Sequence, residues 1–169
     1  MKEKQIHPFE AIYNNHSEIL ILGTFPSVKS RENAFYYGHP QNRFWKLLAA
    51  LYQAPCPQTI EEKILFLQAH HIALWDVIQS CEIKGSADSS IQNVIVNDIG
   101  RLIAETNIKT IYCNGKKAKT LFDRYIARAH PLTAIDLPST SPANAAWSME
   151  RLIEAWQIIR EQNADLPNK

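Results

Sequence analysis

The stretch EILIL at residues 18–22 runs directly into GTFPS at residues 23–27, and it is the first of several strand-like runs on which the predicted fold depends. A short run that is almost entirely apolar is typical of a strand covered on both faces, as strands are in parallel sheets. The glycine and the proline that follow predict a tight turn out of the strand. Three further runs have the same β-like character, at residues 72–75, 108–113 and 133–137.

Segments with helical spacing separate these strands. After Asn42, apolar residues recur every three or four positions until two prolines end the run. Alternating strands and helices predict an α/β fold, a single three-layer α/β/α domain over residues 1–169 with a four-stranded parallel central sheet. Residues 163–169 are expected to form a frayed tail. The five predicted helices lie near residues 44–52, 60–67, 95–103, 118–126 and 149–159.

Composition excludes several classes of protein. The chain has 169 residues, of which 46% are apolar, and a net charge of +1, so it is not a histone-like polycation. No apolar stretch is long enough to span a bilayer, and the charged start MKEKQ lacks the apolar core of a secretory signal. A cytoplasmic location is therefore expected.

The cysteines predict no cofactor. Cys56, Cys81 and Cys113 lie far apart and match neither a disulfide framework nor a C-x-x-C metal site. Reduced thiols are therefore expected, without a bound metal.

Positive charge is nevertheless uneven along the chain. Lys29, Arg31, Arg43 and Lys46 flank the opening motif, and three more lysines cluster at residues 116–119. A local basic face can meet phosphates without a high overall charge. Taken singly, each of these residues is equally well explained as a solvated charge on a helix surface.

Polar residues follow every predicted strand. GTFPS follows the first, Asp76 the second, Asn114 and Gly115 the third, and PSTSPAN at residues 138–144 the fourth. Ligands bind outside the carboxyl ends of the strands in an open parallel sheet, so these segments are expected to converge on one crevice. Each alone has a plain structural explanation as a turn or a helix cap, but all four together favour a ligand site.

The familiar phosphate cradles and nucleophile motifs are missing from this crevice. GKKAKT at residues 115–120 lacks the upstream glycine and the ending of a P-loop, and neither G-x-G-x-x-G nor G-x-S-x-G follows a strand. What remains is a set of amides, hydroxyls and aromatic rings, among them Asn42, Phe25, Tyr36 and Tyr37. A nucleobase flipped out of DNA requires this combination of stacking surfaces and hydrogen-bonding groups.

Three of these segments carry a resemblance to a known family. GTFPS, FYYGHPQNRFW at residues 35–45 and LPSTSPANA at residues 137–145 resemble the uracil-DNA glycosylase superfamily, and most of all its hypoxanthine-DNA (deoxyinosine) glycosylase branch. HPQNRFWK is also similar to a segment of the mismatch-specific uracil-DNA glycosylases, and GSADSSI at residues 85–91 agrees with the assignment.

The resemblance implies a monofunctional, metal-free enzyme that hydrolyses the N-glycosidic bond of a deaminated base in DNA. Some branches carry an iron–sulfur cluster, but the three scattered cysteines argue against one here. DNA is thus the expected partner, and the protein is expected to act as a monomer.

The opening motif departs from the pattern of the superfamily. Many members carry an Asp or Asn in it that positions the attacking water, whereas this chain has Phe25 there. The resemblance moves that task to Asn42. Because an amide is a poor general base, Asn42 is expected to orient water and stabilise charge rather than to take a proton.

The chemistry of such a reaction predicts the remaining site residues, because the departing base becomes electron-rich and needs hydrogen-bonding partners. Backbone N–H groups near Thr24 and Phe25 are expected to stabilise the leaving base, with Tyr37 stacking on it and Asp76 and Asn114 contacting its edge. The predicted base-binding residues are Gly23, Thr24, Phe25, Pro26, Tyr37, Asp76 and Asn114. The predicted DNA-binding residues are Ser27, Lys29, Arg43, Ser139, Thr140, Ser141, Pro142 and Asn144.

The sequence leaves the preferred base open. Hypoxanthine and uracil both present a ring N–H beside a carbonyl, so one donor–acceptor pocket can accept either. The alternatives are a uracil-preferring or mismatch-specific glycosylase, a DNA-binding module that recognises lesions without cutting, and an unrelated small-molecule α/β enzyme.

Overall fold

Four parallel strands form the central sheet of the protein. The computed structural model describes residues 3–7, 10–26, 35–83, 91–128 and 131–164. The strand order in the sheet is β3-β2-β6-β7, and the three neighbouring pairs are all parallel. The elements are β1 Glu3–Ile6, β2 Ile19–Gly23, α1 Phe44–Leu51, α2 Ile60–Ala69, β3 Ile72–Asp76, β4 Ile78–Ile83, β5 Gln92–Val96, α3 Ile99–Ala104, β6 Thr110–Asn114, α4 Lys116–Leu121, the π-helical turn Phe122–Ile126, β7 Ile135–Leu137 and α5 Met149–Ala164.

The core lies on both faces of this sheet. Alternate residues of β2 point to opposite faces: Ile19 and Ile21 belong to one apolar cluster, and Leu20 and Leu22 to the other. Side chains from α1 and α5 complete the first cluster, and side chains from α3 and α4 complete the second. This arrangement confirms the predicted three-layer α/β/α fold with its four-stranded parallel sheet.

The register of the sheet brings the strand ends level with one another. Gly23 at the end of β2 lies opposite Asp76 at the end of β3, and Asn114 at the end of β6 lies opposite Leu137 at the end of β7. The residues after these strands therefore start from the same edge of the sheet, as the sequence predicts.

The sequence reading misses a second, smaller sheet. β1, β4 and β5 form a three-stranded antiparallel sheet in the order β1-β4-β5. The predicted helix at residues 95–103 is consequently wrong at its start, since Ile95 lies in β5 and the helix begins at Ile99. A single exposed isoleucine fits a strand and a helix equally well, so the apolar pattern could not separate the two elements.

Smaller corrections concern two helix ends. The predicted helix at residues 118–126 changes to π-helical hydrogen bonding after Leu121. The predicted tail at residues 163–169 starts too early, because α5 continues through Ala164, while residues 165–169 lie outside the described part of the chain. Cys56, Cys81 and Cys113, all within the described residues, form no disulfide bond. No helix in the described segments is long and apolar enough to cross a membrane.

Candidate active site

Three polar side chains from separate segments form one hydrogen-bonded chain, called here the amide network: Asn42, Asn114 and Thr140. Asn42 Oδ1 accepts from the Thr140 hydroxyl at 2.8 Å and from the backbone N–H of Phe44 at 3.0 Å. Asn114 Nδ2 donates to Thr140 Oγ1 at 3.0 Å, and the Thr140 backbone N–H donates to Asn114 Oδ1 at 3.0 Å. Asn114 and Thr140 are buried, and Asn42 is half-buried.

Two backbone N–H groups fix the direction of every hydrogen bond in the amide network. The N–H of Thr140 can only donate, so the Asn114 atom facing it must be the carbonyl oxygen. The Asn114 amide nitrogen then donates to Thr140 Oγ1, whose own proton is left to donate onward to Asn42. Since the N–H of Phe44 also donates to Asn42, both lone pairs of Asn42 Oδ1 are occupied. Asn42 Nδ2, without a partner among the described residues, is the end that can act on a substrate.

Arg43 fastens the loop that carries Thr140. Its backbone N–H donates to the Thr140 carbonyl at 3.1 Å, and its guanidinium donates to the carbonyls of Ser141 and Asn144 at 3.1 Å each and to that of Trp147. The sequence predicts that the Arg43 side chain contacts a DNA phosphate. In the structure, most of its guanidinium N–H groups instead donate to carbonyls of the loop. A phosphate contact through the remaining N–H groups stays a prediction.

The loop after β7 is also held by its own polar side chains. Ser139 Oγ accepts from the N–H of Ser141 at 3.1 Å, Ser141 Oγ accepts from that of Ala143 at 3.1 Å, and Asn144 Nδ2 donates to the Ser139 carbonyl at 3.0 Å. These residues do not cap α5, because Ser148 performs that role by accepting from Arg151 at 3.2 Å.

A groove of about 570 Å³ runs along this loop. Ser139, Ser141 and Asn144 line it together with Lys116 and Trp147. Beside it, the guanidinium of Arg151 lies 4.1 Å from the centre of the Trp147 ring. Asp136 also lines the groove, so its one lysine is balanced by one carboxylate. An aromatic and polar groove with an arginine beside it can still receive a nucleic-acid backbone.

A second group of polar residues surrounds the end of β2 and is called here the Gly23 cluster: Gly23, Tyr37, Asp76 and His7. A Cβ added at Gly23 would collide with Asp76 Oδ1 and lie 2.9 Å from the Tyr37 hydroxyl oxygen. Only glycine therefore allows both side chains to reach this point. Asp76 is 3% exposed, and its Oδ2 lies 2.7 Å from His7 Nε2.

One face of the Tyr37 ring is used inside the protein, and its predicted stacking on a base stays a prediction. Its ring already stacks on Phe44, with 4.0 Å between the ring centres and 22° between the planes. Its hydroxyl is buried without a hydrogen bond of acceptable geometry, although the nearby Asn114 amide acts to lower its pKa. Burial, followed by the charge of Asp76, outweighs this effect and raises the pKa of Tyr37, so the hydroxyl stays protonated at neutral pH.

The rest of the opening motif forms one wall of the site. Phe25 is half-buried and meets the His7 ring edge to face, with 5.9 Å between the ring centres. The carbonyls of Gly23 and Thr24 accept from Val77 and Ile78 at 2.8 and 3.1 Å, which joins the motif to the start of β4. Pro26 is buried. Ser27, Lys29 and nearly all of GSADSSI lie outside the described residues.

His7 was not predicted from the sequence, and the structure places it in this site. It follows β1, a strand that the apolar pattern does not predict, and lies 69 positions from its partner Asp76. No group of three or more potential metal ligands occurs in the described ranges.

Comparison with known proteins identifies the family. The sequence model of the Uracil DNA glycosylase superfamily matches residues 11–160. The chain belongs to the uracil DNA glycosylase superfamily. Within this superfamily it is 34% identical over 153 residues to a protein of Methanosarcina acetivorans named Hypoxanthine DNA glycosylase, covering 89% of this chain and 95% of the relative. A protein of the same name from Methanosarcina barkeri is 32% identical over 112 residues, 65% of this chain and 71% of the relative.

A solved structure agrees with this assignment. The solution NMR structure of a Methanosarcina acetivorans protein, described as a candidate uracil DNA glycosylase, superposes with a TM-score of 0.79 at 32% sequence identity. The match covers 93% of this chain and 98% of that protein. The predicted superfamily and its hypoxanthine-DNA glycosylase branch are therefore confirmed. The roles of individual residues remain predictions.

Proposed function

We propose that this member of the uracil DNA glycosylase superfamily is a DNA-deoxyinosine (hypoxanthine-DNA) glycosylase. It hydrolyses the N-glycosidic bond of a deaminated base that has been flipped out of DNA, and it leaves an abasic site for base excision repair. The names of its relatives support the substrate, and the polar crevice at the carboxyl edge of the sheet supports a flipped base as the ligand.

The orientation of Asn42 is the observation that carries the mechanism. With both lone pairs of Oδ1 occupied, the side chain offers only N–H donors and cannot accept a proton. Such a group suits a reaction in which the bond to the base breaks early and the sugar becomes oxocarbenium-like. Asn42 holds the oxygen of the attacking water by donating to it. The electron pair of the broken bond leaves with the base, and the proton that the water loses on forming its bond to the sugar carbon passes to the departing base or to solvent.

The leaving base gains negative charge and therefore needs donors directed at it. The backbone around Thr24 and Phe25 is the proposed source, together with the edge contacts of Asp76 and Asn114. One N–H of the Asn114 amide already donates to Thr140, so the contact of Asn114 with the base must come from its other N–H. Gly23 and Pro26 shape the wall against which the base rests.

The DNA backbone lies along the loop and groove after β7. Ser139, Ser141, Pro142 and Asn144 present the loop, while Thr140 faces inward to Asn42. Because the loop is braced by Arg43 before any DNA arrives, little ordering is required on binding. Ser27 and Lys29 are proposed phosphate contacts on the opposite side of the site.

Four further expectations complete the proposal. The whole chain, residues 1–169, forms one glycosylase domain. The protein acts as a monomer in the cytoplasm. It requires no metal, iron–sulfur cluster or other cofactor. Uracil in DNA is the second candidate substrate, because it presents the same N–H and carbonyl edge as hypoxanthine.

Incubation with defined lesions tests this proposal. End-labelled duplexes containing a single inosine, uracil or xanthine are incubated with excess protein and then treated with alkali, which cleaves abasic sites. We expect a strand break at inosine in a single turnover, with a slower one at uracil. Asn42→Ala protein purified in parallel controls for contaminating glycosylases. Salt-dependent DNA binding without any strand break would favour a lesion-binding module instead.

A further inference from the structure

Two polar groups of the Gly23 cluster are arranged for a ligand. Asp76 Oδ2 is hydrogen-bonded to His7, and Asp76 Oδ1 has no hydrogen-bond partner within the described residues. The Tyr37 hydroxyl, which is completely buried, is likewise left without a partner of acceptable geometry. Both atoms approach the same point above Gly23, so they lie side by side. A buried polar atom without a partner costs stability and calls for a functional explanation.

The two groups have opposite hydrogen-bonding character. A carboxylate oxygen can only accept, whereas a protonated phenol can donate. His7 completes the arrangement by donating from Nε2 to Oδ2, which leaves Oδ1 as the oxygen able to accept from a ligand. The result is an acceptor beside a donor at the carboxyl end of β2.

We propose that Asp76 and Tyr37 read the edge that deamination creates on a base, and that His7 is the positioning residue for Asp76. This inference rests on the proposed glycosylase function and specifies how its site chooses the base. Asp76 Oδ1 accepts from the ring N1–H of hypoxanthine, and the Tyr37 hydroxyl donates to its O6 carbonyl. The pyrimidine uracil offers the same pair of groups at N3–H and O4.

Undamaged adenine and cytosine present the opposite pattern. Adenine has an acceptor at N1 and a donor at the exocyclic amine, so its N1 lone pair would face the Asp76 carboxylate and its amine would face the Tyr37 proton. Both contacts are lost together, and buried partners are left unpaired. The pair therefore rejects adenine and cytosine. It does not reject guanine, which also has N1–H and O6.

The backbone at Tyr37 supports a functional reason for this placement. Tyr37 has a φ of 55°, a left-handed conformation that a bulky side chain rarely adopts. Strained conformations persist where the surrounding structure holds them, and they cluster at ligand sites. Here the strained backbone and the stack on Phe44 bring the hydroxyl to Gly23.

The test compares inosine with a base that lacks this edge. 2′-Deoxynebularine carries unsubstituted purine, with neither N1–H nor O6. Single-turnover excision is measured on matched inosine and nebularine duplexes for wild type, Asp76→Asn and Tyr37→Phe. We expect each variant to lower the inosine rate by about 10- to 100-fold and to change the nebularine rate by a much smaller factor. The ratio of the inosine excision rate to the nebularine excision rate should therefore fall in each variant.

His7 is tested with a conservative pair of variants. His7→Gln keeps an N–H donor for Asp76, and His7→Leu removes it. We expect His7→Leu to lower the inosine-to-nebularine ratio by about tenfold, and His7→Gln to retain most of it. Thermal denaturation of both variants separates an effect on specificity from a loss of folded protein.

The outcomes distinguish this inference from the function on which it rests. If wild type does not excise inosine, the proposed function fails and this inference with it. If wild type excises inosine but the variants slow both duplexes in parallel, Asp76 and Tyr37 are structural and only the inference is overturned. A variant ratio equal to that of wild type overturns it as well.

Discussion

The amide network and the Gly23 cluster occupy the same edge of the sheet but differ in how their polar atoms are used. In the amide network, backbone N–H groups determine the direction of every hydrogen bond, and the Asn42 amide nitrogen is left without a partner among the described residues. In the Gly23 cluster, a carboxylate oxygen and a phenol proton both lack a partner in the part of the chain that the structure describes. The amide network is therefore oriented by the protein itself, whereas the Gly23 cluster keeps polar atoms that a ligand could satisfy.

Removing the free end of the amide network should have the largest effect. We expect Asn42→Ala to lower single-turnover excision of inosine by about 100- to 1,000-fold, the usual loss for one donor aimed at a transition state. DNA affinity should stay within a few-fold, because the side chain contacts the reacting atoms rather than the backbone. Gel-shift titration and excision kinetics on the same duplex check both statements. Full activity of the variant would refute the role of Asn42.

Filling the space above Gly23 should disrupt the other region. We expect Gly23→Ala to lower the free energy of unfolding by about 1–3 kcal/mol, because the added methyl displaces Asp76 and Tyr37 from a packed site. Inosine excision should fall with it. Gly115→Ala is a matched comparison, since its methyl would meet Ser139 at 3.1 Å and strain a φ of +100° instead. Denaturant unfolding and excision kinetics are measured for both. If Gly23→Ala had the stability and the excision rate of wild type, the added methyl group would not displace Asp76 or Tyr37, which would contradict the prediction.

Breaking the amide network at its centre should have an intermediate effect. Thr140→Val keeps the shape but removes the hydroxyl, so Asn114 and Asn42 each lose one hydrogen bond while each keeps its bond to a backbone N–H group. We expect a loss of about 1–3 kcal/mol of stability and a slower excision step with little change in DNA affinity. Thr140→Ser keeps the hydroxyl and serves as the control. Equal behaviour of the two variants would show that the hydrogen bonds do not matter.

Replacing the guanidinium of Arg43 should have the smallest effect of the four. Lysine keeps the charge but cannot donate to several carbonyls in a fixed plane, so Arg43→Lys should loosen the loop after β7. We expect weaker DNA binding by a few-fold with an unchanged salt dependence. A lower salt dependence in Arg43→Met than in Arg43→Lys would instead support a direct phosphate contact.

The sequence predicted the parts of the site that strands determine directly. The residues that follow β2, β3, β6 and β7 were correctly expected to meet, because parallel strands end at a common edge. The choice of Asn42 came from a resemblance, and the structure explains how that side chain is oriented. His7 was missed, as were the small antiparallel sheet and the bracing role of Arg43.

Local patterns determine one class of features by themselves in this protein. Apolar periodicity and turn residues identify the four strands of the central sheet and most helices, since each pattern reflects which face of a short segment is buried. The contacts that orient the site join residues that are distant in sequence, such as His7 with Asp76 and Asn42 with Thr140, 69 and 98 positions apart. Only packing of the whole chain brings such pairs together, so the tertiary structure alone decided which polar atoms are satisfied and which remain for the substrate.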